Sequence, residues 1–534
     1  MNLLNPSRRN ARWLILLALL AYWAISLSGL DALPTVRDDE PWQAAPGYSF
    51  WTRGVYGSEL FADFAGMGQH YYLFQPTFSL LLGLAGRLWG LGLFQIRIVP
   101  LMLGALTLCL TYRVGARLHG DAMGVTATCL LLLWRWGVST PTLASGIPLL
   151  DISRIARYDT LVPVWGLSAW LMLSHAQQHG QGRHFFLAGL FAGLAGMAHL
   201  YGLFWVPALA IILFADSGWS LLKQRTIYAL AAGAVVAWVP WLLFIAAGWD
   251  DFVLQTSQYA NRFDLLSPSF YARNLLYETQ RYGFGPTNLV SAASQPGVWL
   301  LVLGLPAALV WLSALSLSKR ARAERPLVAL VVPAWLFPLG FAVLLVQKTP
   351  GYLQSIAPLF AVVIAWVAVD LWQARRRRGL LVAAAMLVAL DGGWGILHQQ
   401  QLAADTTPYH TFMAEVRLVV PRSTRVVALH QYWLGLFEND FRSYSEVVFL
   451  SYRPFTAHPL AIERVLENIA PDVFILDSIL GARLAEGDDA ASQDALAREF
   501  AANFHAFMDR HHARELGRVT DKTYGTLIAY ALSR

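Results

Sequence analysis

Trp13-Leu-Ile-Leu-Leu-Ala-Leu-Leu-Ala-Tyr-Trp-Ala-Ile-Ser-Leu-Ser-Gly-Leu30 carries no charge and follows Arg8, Arg9 and Arg12. A helix of about 18 apolar residues, rising ~1.5 Å each, is long enough to cross the hydrocarbon core of a bilayer. The start of this run resembles a secretory signal. It is followed by Asp31-Ala-Leu-Pro34 rather than a small-x-small cleavage site, so it reads as a retained anchor helix. Further apolar runs lie near 96–117, 122–138, 159–174, 184–199, 201–215, 226–247, 297–317, 327–346, 352–372 and 379–397. The chain has 534 residues, 56% hydrophobic and 14% charged, with a mean hydropathy of +0.45. Soluble domains hold about 45–50% apolar and about 25% charged residues, so the excess needs lipid to cover it. Cys109 and Cys129 both lie in apolar runs and suggest neither a disulfide framework nor a metal cluster.

One more run, 76–94, is ambiguous, and charge decides how it is read. If it does not cross, one set of loops collects Arg8, Arg9, Arg12, Arg113, Arg117, Arg183, Lys223, Arg225, Lys319, Arg320, Arg322, Arg325 and Arg375 to Arg378. The opposite loops are longer and hold fewer cations (Arg37, Arg53, Arg87, Arg154, Arg157, Arg262, Arg273, Arg281 and Lys348) together with most of the acids. That is the positive-inside pattern, and a crossing at 76–94 would invert every later loop. The expectation is therefore an α-helical polytopic membrane protein of about eleven transmembrane helices, with 76–94 interfacial or re-entrant. The net charge of +6 is a topology signal and not a nucleic-acid footprint. The N-terminus is expected in the cytoplasm. Outer loops 31–95, 139–158, 248–296 and 347–351 share the opposite face with the C-terminal domain. Segment 248–296 is rich in aromatics, including Trp249, Phe252, Phe263, Tyr277 and Phe284, which favours an interfacial helix near 268–282.

The composition changes after residue 398. Arg425-Val-Val-Ala-Leu-His430, Asp472-Val-Phe-Ile-Leu-Asp477 and Tyr524-Gly-Thr-Leu-Ile-Ala-Tyr530 read as strands, and 459–470 and 490–514 as helices. Residues 1–398 thus form the membrane domain and 399–534 a small soluble α/β domain outside the cytoplasm.

Unusual polar residues gather on the outer face: Arg37-Asp38-Asp39-Glu40, Arg154-Ile-Ala-Arg157-Tyr158-Asp159, His199, and Gln347-Lys348-Thr349-Pro350-Gly351-Tyr352. Carboxylates beside cations and tyrosines suit group transfer from a phosphate-bearing lipid. A carboxylate takes the acceptor's proton, and cations or a metal stabilise the departing phosphate. A transporter, such as a lipid-linked sugar flippase, also uses intramembrane acids, but near the midplane within discontinuous helices. Here the acids cluster at one surface, which favours an enzyme. No complete metal-ligand set stands out, so a divalent metal is left open as a cofactor, with no ligands assigned.

The order of these features resembles the membrane glycosyltransferases of the GT-C class, in particular the protein O-mannosyltransferases and lipid A aminoarabinose transferases of the glycosyltransferase family 39 type. The family's Asp-Glu pair outside the first helix is matched by Asp39-Glu40, its Tyr-rich turn and Lys-Pro pair by Tyr71-Tyr72-Leu-Phe-Gln75-Pro76, with Gln75 where Lys is usual. Its Arg-x-Asp element is matched by Arg157-Tyr158-Asp159, and its late Lys-x-x-x-Tyr by Lys348 and Tyr352 before Pro358. Where a Lys-Gly often follows in the next turn, this chain has His199-Leu-Tyr201-Gly202. The resemblance covers roughly 13–372. It implies inverting transfer of a sugar from a polyprenyl-phosphate donor to a glycan, lipid or protein acceptor outside the cytoplasm, at the inner membrane. Asp39 is then the base, with Asp38 as a substitute, and Asp159 orients acceptor or donor sugar. His199, Lys348 and Tyr352 hold the phosphate, and Glu40, Tyr72, Gln75, Arg157 and Tyr201 contribute to substrate binding.

Overall fold

The computed structural model describes residues 8–137, 144–260, 264–283, 293–317, 325–375, 377–453, 455–456, 458–489 and 494–533. Arg262, Phe263, Phe284, Lys319, Arg320, Arg322 and Arg376, which entered the charge and aromatic readings, lie outside the described residues.

Among the described residues up to 405, the regular elements are helices. They are α1 (Arg8–Leu27), α2 (Asp39–Arg53), α3 (Pro76–Trp89), α4 (Leu93–His119), α5 (Asp121–Leu133), α6 (Pro148–Ile152), α7 (Leu161–His179) and α8 (Gly182–Ala198). Then follow α9 (Trp205–Ser217), α10 (Arg225–Ala247), α11 (Trp249–Ala260), α12 (Pro268–Leu276), α13 (Pro296–Leu317), α14 (Arg325–Leu344), α15 (Leu353–Gln373) and α16 (Arg378–Asp405). Among the described residues, eight helical segments are long and apolar enough to cross a bilayer, by length and composition. The expected spans at 122–138, 159–174 and 184–199 fall on α5, α7 and α8, of 13, 19 and 17 residues, which are not among the eight. The first and last are short, and the final turns of α7 carry Ser174, His175, Gln177, Gln178 and His179. The count of eleven is not reached on these criteria.

The ambiguous run 76–94 is not one helix. It holds the 14-residue α3, a turn through Gly90 at φ 86°, and the start of α4. A helix of that length rises ~21 Å, short of the ~30 Å hydrocarbon core. It lies against α2 at backbone contact. A Cβ added at Gly47 would sit 1.7 Å from the Ser79 carbonyl oxygen, and one at Gly83 would sit 2.0 Å from the Gly47 carbonyl carbon. The helix expected near 268–282 is present as α12 followed by a 3₁₀ turn over Glu278–Tyr282.

The C-terminal domain holds α17 (Tyr409–Val419), β1 (Arg425–Ala428), β2 (Asp440–Ser443), α18 (Tyr444–Ser451), α19 (Ile462–Ile469), β3 (Val473–Leu476), α20 (Ser478–Asp488), α21 (Ala495–Arg510), β4 (Arg514–Asp521) and β5 (Gly525–Ala531). The strand order is β2-β1-β3-β5-β4, with β1 parallel to β2 and β3, and β5 antiparallel to β3 and β4. Alternate residues serve two faces, as the two-residue period of a strand requires. Val427 and Phe474 pack with Ile462, Val465, Phe500 and Phe504, whereas Val426, Ala428 and Ile475 join Phe412, Met413 and the core shared with the membrane helices. The three expected strands are present, and β2 and β4 are additional. The helix expected over 490–514 runs over 495–510, because Arg514 already pairs with Ala531. The composition change at 398 falls inside α16, which continues unbroken to Asp405.

The C-terminal domain is held by the segment between α1 and α3. The Tyr409 N–H donates to the Asp31 carbonyl at 2.9 Å, Trp433 Nε1 to Glu59 Oε1 at 2.7 Å, and the Asp63 N–H to Glu446 Oε1 at 2.6 Å. Burial pushes the Glu446 carboxyl up to about 8, with the Asp63 N–H and Arg442 pulling the other way. From its ordinary value of 4.5 up to about 8, the folded protein keeps a proton there that the unfolded chain has lost, so this group's contribution to stability falls as pH rises through that window. Glu446→Gln keeps the acceptor oxygen without the charge. It is expected to raise the melting temperature of the detergent-purified chain above wild type at about pH 8.5 and to leave it unchanged near pH 4.5. Equal melting temperatures at both pH values would contradict this.

Candidate active site

The site is organised around Arg157, in the turn that precedes α7. Its guanidinium pairs with Asp39 at the first turn of α2, and its Nε donates to Asp159 Oδ2 at 2.7 Å. Asp159 has no exposed surface, and its other oxygen accepts from the Tyr201 hydroxyl at 2.8 Å. Tyr201 in turn accepts from the Ser355 hydroxyl at 2.9 Å. Burial works against the Arg157 charge, but Asp159 and Asp39 overcome it and keep the guanidinium protonated. The turn 349–352 closes over this pair. A Cβ at Gly351 would lie 2.9 Å from Asp159 Oδ2 and 3.0 Å from Arg157 Nε, so glycine is what permits the approach.

Beside the ion pairs lies a packed set of rings. His199 contacts Tyr158, Tyr201 and Tyr352 at centroid separations of 4.9, 4.1 and 5.1 Å, and Tyr201 and Tyr352 are 4.8 Å apart. The His199 Nδ1 accepts from the Tyr201 N–H at 3.2 Å. Beyond Tyr352 sits a second charged group. Arg281 lies 5.2 Å over the Tyr352 ring, Glu278 accepts from Arg281 Nε at 2.8 Å, and Lys348 Nζ donates to Glu278 Oε2 at 2.8 Å. Burial lowers the Lys348 pKa, and Glu278 partly restores it.

Asp39 and Arg157 open onto a cavity of about 490 Å³. Arg37, Asp38 and the turn 349–351 line it from the membrane domain, and Gln431 and Ile479 from the C-terminal domain. The Asp39 side chain keeps 35% of its surface exposed. Asp38, at the rim, has its carboxylate 3.5 Å from His430 Nε2, which lowers its pKa.

The expected residues therefore separate. Asp39, Arg157, Asp159 and Tyr201 form one network, His199 and Tyr352 adjoin it, and Lys348 belongs to the neighbouring cluster. Gln75 is half-buried at the start of α3, next to Phe74, whose ring meets Tyr158 at 5.4 Å. Tyr72 turns to α10, its hydroxyl donating to the Phe244 carbonyl at 2.9 Å. Glu40 has no exposed surface. It pairs with the equally buried Arg97 at 2.8 Å and accepts from the N–H groups of Arg37 and Ala156. That geometry makes Glu40 a structural residue and leaves no lone pair facing the cavity. Arg97, Glu278, Arg281, Gln431 and His430 were not singled out from sequence. A lone arginine opening an apolar helix was the available signal for Arg97, and the i,i+3 acid–base spacing for Glu278 and Arg281. Among the described residues, no group of three or more His, Cys, Asp or Glu side chains is placed to hold a metal ion.

This arrangement sits on a known architecture. A family model described as dolichyl-phosphate-mannose-protein mannosyltransferase matches residues 75–244, roughly a third of the chain. ArnT from Cupriavidus metallidurans, solved bound to undecaprenyl phosphate, superposes with a TM-score of 0.58 at 13% identity, covering 98% of this chain and 98% of that one. The apo oligosaccharyltransferase of Archaeoglobus fulgidus gives 0.57 at 13% identity over 92% of this chain and 72% of that one. AglB from Archaeoglobus fulgidus, with an inhibitory peptide and a dolichol-phosphate, gives 0.54 at 14% identity over 98% and 74%. No curated protein sequence matches. The chain is an integral membrane protein with the GT-C fold. It resembles the GT-C membrane glycosyltransferases of the ArnT and protein mannosyltransferase type.

The two neighbouring acids predict different phenotypes. Glu40→Ala leaves Arg97 charged and buried, and is expected to lower stability by about 3–5 kcal/mol. Asp39→Asn, half-exposed and with Asp159 still holding Arg157, is expected to cost under about 1 kcal/mol. Thermal unfolding of the two detergent-purified variants checks this, and similar losses for both would undo the division of roles.

Proposed function

We propose that this protein is a glycosyltransferase that moves a sugar from a polyprenyl-phosphate donor to an acceptor on the extracytoplasmic face of the inner membrane, with inversion at the anomeric carbon. The observation that carries the proposal is the half-exposed Asp39 held by Arg157 at the wall of the cavity, on a GT-C fold. The solved relatives bound to undecaprenyl phosphate and dolichol-phosphate support the class of donor. The donor sugar is a hexose or a pentose, and the acceptor is a glycan, a lipid or a protein.

In this reading the acceptor hydroxyl attacks the anomeric carbon opposite the phosphate. The new carbon–oxygen bond forms as the bond to the phosphate oxygen breaks, and the hydroxyl proton passes to Asp39. Arg157 orients Asp39, and the buried Asp159 acts through Arg157 as a positioning residue. Lys348 and Arg281 supply positive charge for the released polyprenyl phosphate, with Tyr352 and His199 between them and the base. The described residues offer no ligand set for a divalent cation, so no step here uses one.

The charge asymmetry of the loops supports a cytoplasmic N-terminus and an extracytoplasmic C-terminal domain. Reporters fused after residues 119 and 400 are expected to report opposite sides, and the same side for both would overturn this orientation. With labelled polyprenyl-phosphate sugars and total membrane acceptors, wild type is expected to transfer label. Asp39→Asn should transfer ~10²–10⁴-fold more slowly. Full activity in that variant, or no transfer by wild type from any donor, would overturn the reading.

A further inference from the structure

The cavity is not built by the membrane domain alone. Gln431 follows β1 and Ile479 lies in the first turn of α20, so two separate parts of the C-terminal domain reach it. Both are held by one buried carboxylate. Asp477 Oδ1 accepts from the N–H groups of Ile479 at 3.1 Å and Leu480 at 2.9 Å, capping α20. Its Oδ2 accepts from Gln431 Nε2 at 3.2 Å and from the Tyr432 hydroxyl at 2.8 Å. The backbone carbonyl of Gln431 is fixed as well, by the Tyr409 hydroxyl at 2.7 Å.

Ile479 is 57% exposed. A single exposed isoleucine is ordinary on a protein surface. This one, however, shares a cavity with Val36, Ile152 and Ile155 from the membrane domain, while Arg37, Asp38, Asp39 and Arg157 supply its charged residues. The cavity therefore offers apolar and charged residues together, with apolar ones contributed from both domains. Asp477 occupies the nitrogen end of the Gln431 amide, so the carbonyl end is the part left to accept from a substrate hydroxyl.

We infer that Gln431 and Ile479 are acceptor-specificity residues, which hold a hydroxyl-bearing acceptor with an apolar portion beside its reacting group against Asp39, and that Asp477 is the positioning residue for both. This rests on the glycosyltransferase reading and adds the domain that selects the acceptor. The donor phosphate cations Lys348 and Arg281 lie in the membrane domain beyond Tyr352, so changes at 431 and 479 separate acceptor from donor.

Two measurements test it on the full chain in detergent or nanodiscs. In transfer assays with a labelled polyprenyl-phosphate sugar and membrane acceptor extract, Gln431→Ala and Ile479→Asp are expected to raise the KM for acceptor by about fivefold or more, with kcat and the donor KM within about twofold of wild type. Asp477→Asn, which offers N–H groups where Gln431 and Tyr432 need an acceptor, is expected to shift the same parameter. Unchanged acceptor KM, or equal loss of kcat and donor affinity, would overturn the inference. The second measurement needs no turnover. An Ile479→Cys chain is labelled with a membrane-impermeant maleimide, with wild type as the control for Cys109 and Cys129. Acceptor extract is expected to protect the new thiol, and polyprenyl phosphate alone is not. Absence of protection, or equal protection by the lipid phosphate, sinks the inference. If wild type transfers no label from any donor, the glycosyltransferase reading fails, and the protection result still decides whether this wall meets the acceptor.

Discussion

The buried pair of Glu40 and Arg97 is the contact on which the site end of the bundle depends. Arg97 comes from α4, and its guanidinium also donates to the carbonyls of Leu30 and Pro34, both at 2.8 Å. Glu40 reaches back to the Arg37 N–H and across to the Ala156 N–H. One ion pair thus joins the segment after α1, the start of α2, α4 and the turn that carries Arg157. Arg154 repeats the device beside it, donating to the Ser26 and Leu33 carbonyls at 2.8 and 2.9 Å. Buried ion pairs are weak contributors to net stability, because desolvation opposes their attraction. What this one gives is register: every lone pair and N–H has a fixed partner, so the irregular backbone around it has one satisfied arrangement.

That register explains how adjacent acids come to differ. Successive residues on a helix point about 100° apart, so Glu40 enters the core while Asp39 faces the cavity. Arg157 directly follows Ala156, whose N–H Glu40 fixes, and this places the guanidinium against Asp39. Gln43, one turn further along α2, accepts the Tyr158 N–H at 3.1 Å and holds the same turn from the other side. The close contact of α2 with α3 through Gly47 and Gly83 then sets the helix against the membrane bundle. The position of Asp39 follows from packing that lies behind it.

Much of this was legible in the sequence. Length, hydropathy and the sidedness of charge are properties of local stretches, so the helical class and most elements could be read. The motifs Asp39-Glu40, Arg157-Tyr158-Asp159 and Lys348 to Tyr352 do converge in one region of the structure. Their division of labour could not be read, because it depends on burial. Nothing local separates Glu40 from Asp39, and Lys348 meets Glu278 across 70 positions of sequence. In the C-terminal domain the buried β3 was plain from Val473-Phe-Ile-Leu476. Edge strands β2 and β4 were not, since Asp440-Phe-Arg-Ser443 and the charged run from Arg514 to Asp521 carry the polarity that protects sheet edges. The contribution of Gln431 and Ile479 was invisible for the same reason as the role of Glu40: both reach the cavity only through tertiary packing.

The charges of the two clusters suit the two halves of the proposed reaction. Asp39 and Asp159 around Arg157 leave one formal negative charge, and Lys348 and Arg281 around Glu278 leave one formal positive charge. Sharing the guanidinium with Asp159 leaves Asp39 with less than a full counter-charge. On the other side, Glu278 holds two cations and neutralises only one, so in the proposed reaction a departing phosphate would meet net positive charge without an unpaired cation being buried beforehand. Tyr352, Tyr201 and His199 pack between the two clusters, with Arg281 over the Tyr352 ring and the Tyr201 hydroxyl donating to Asp159. A transfer that takes a proton at one end and releases an anion at the other requires that separation, and the Gly351 turn, packed against Arg157 and leading into Tyr352, fixes it.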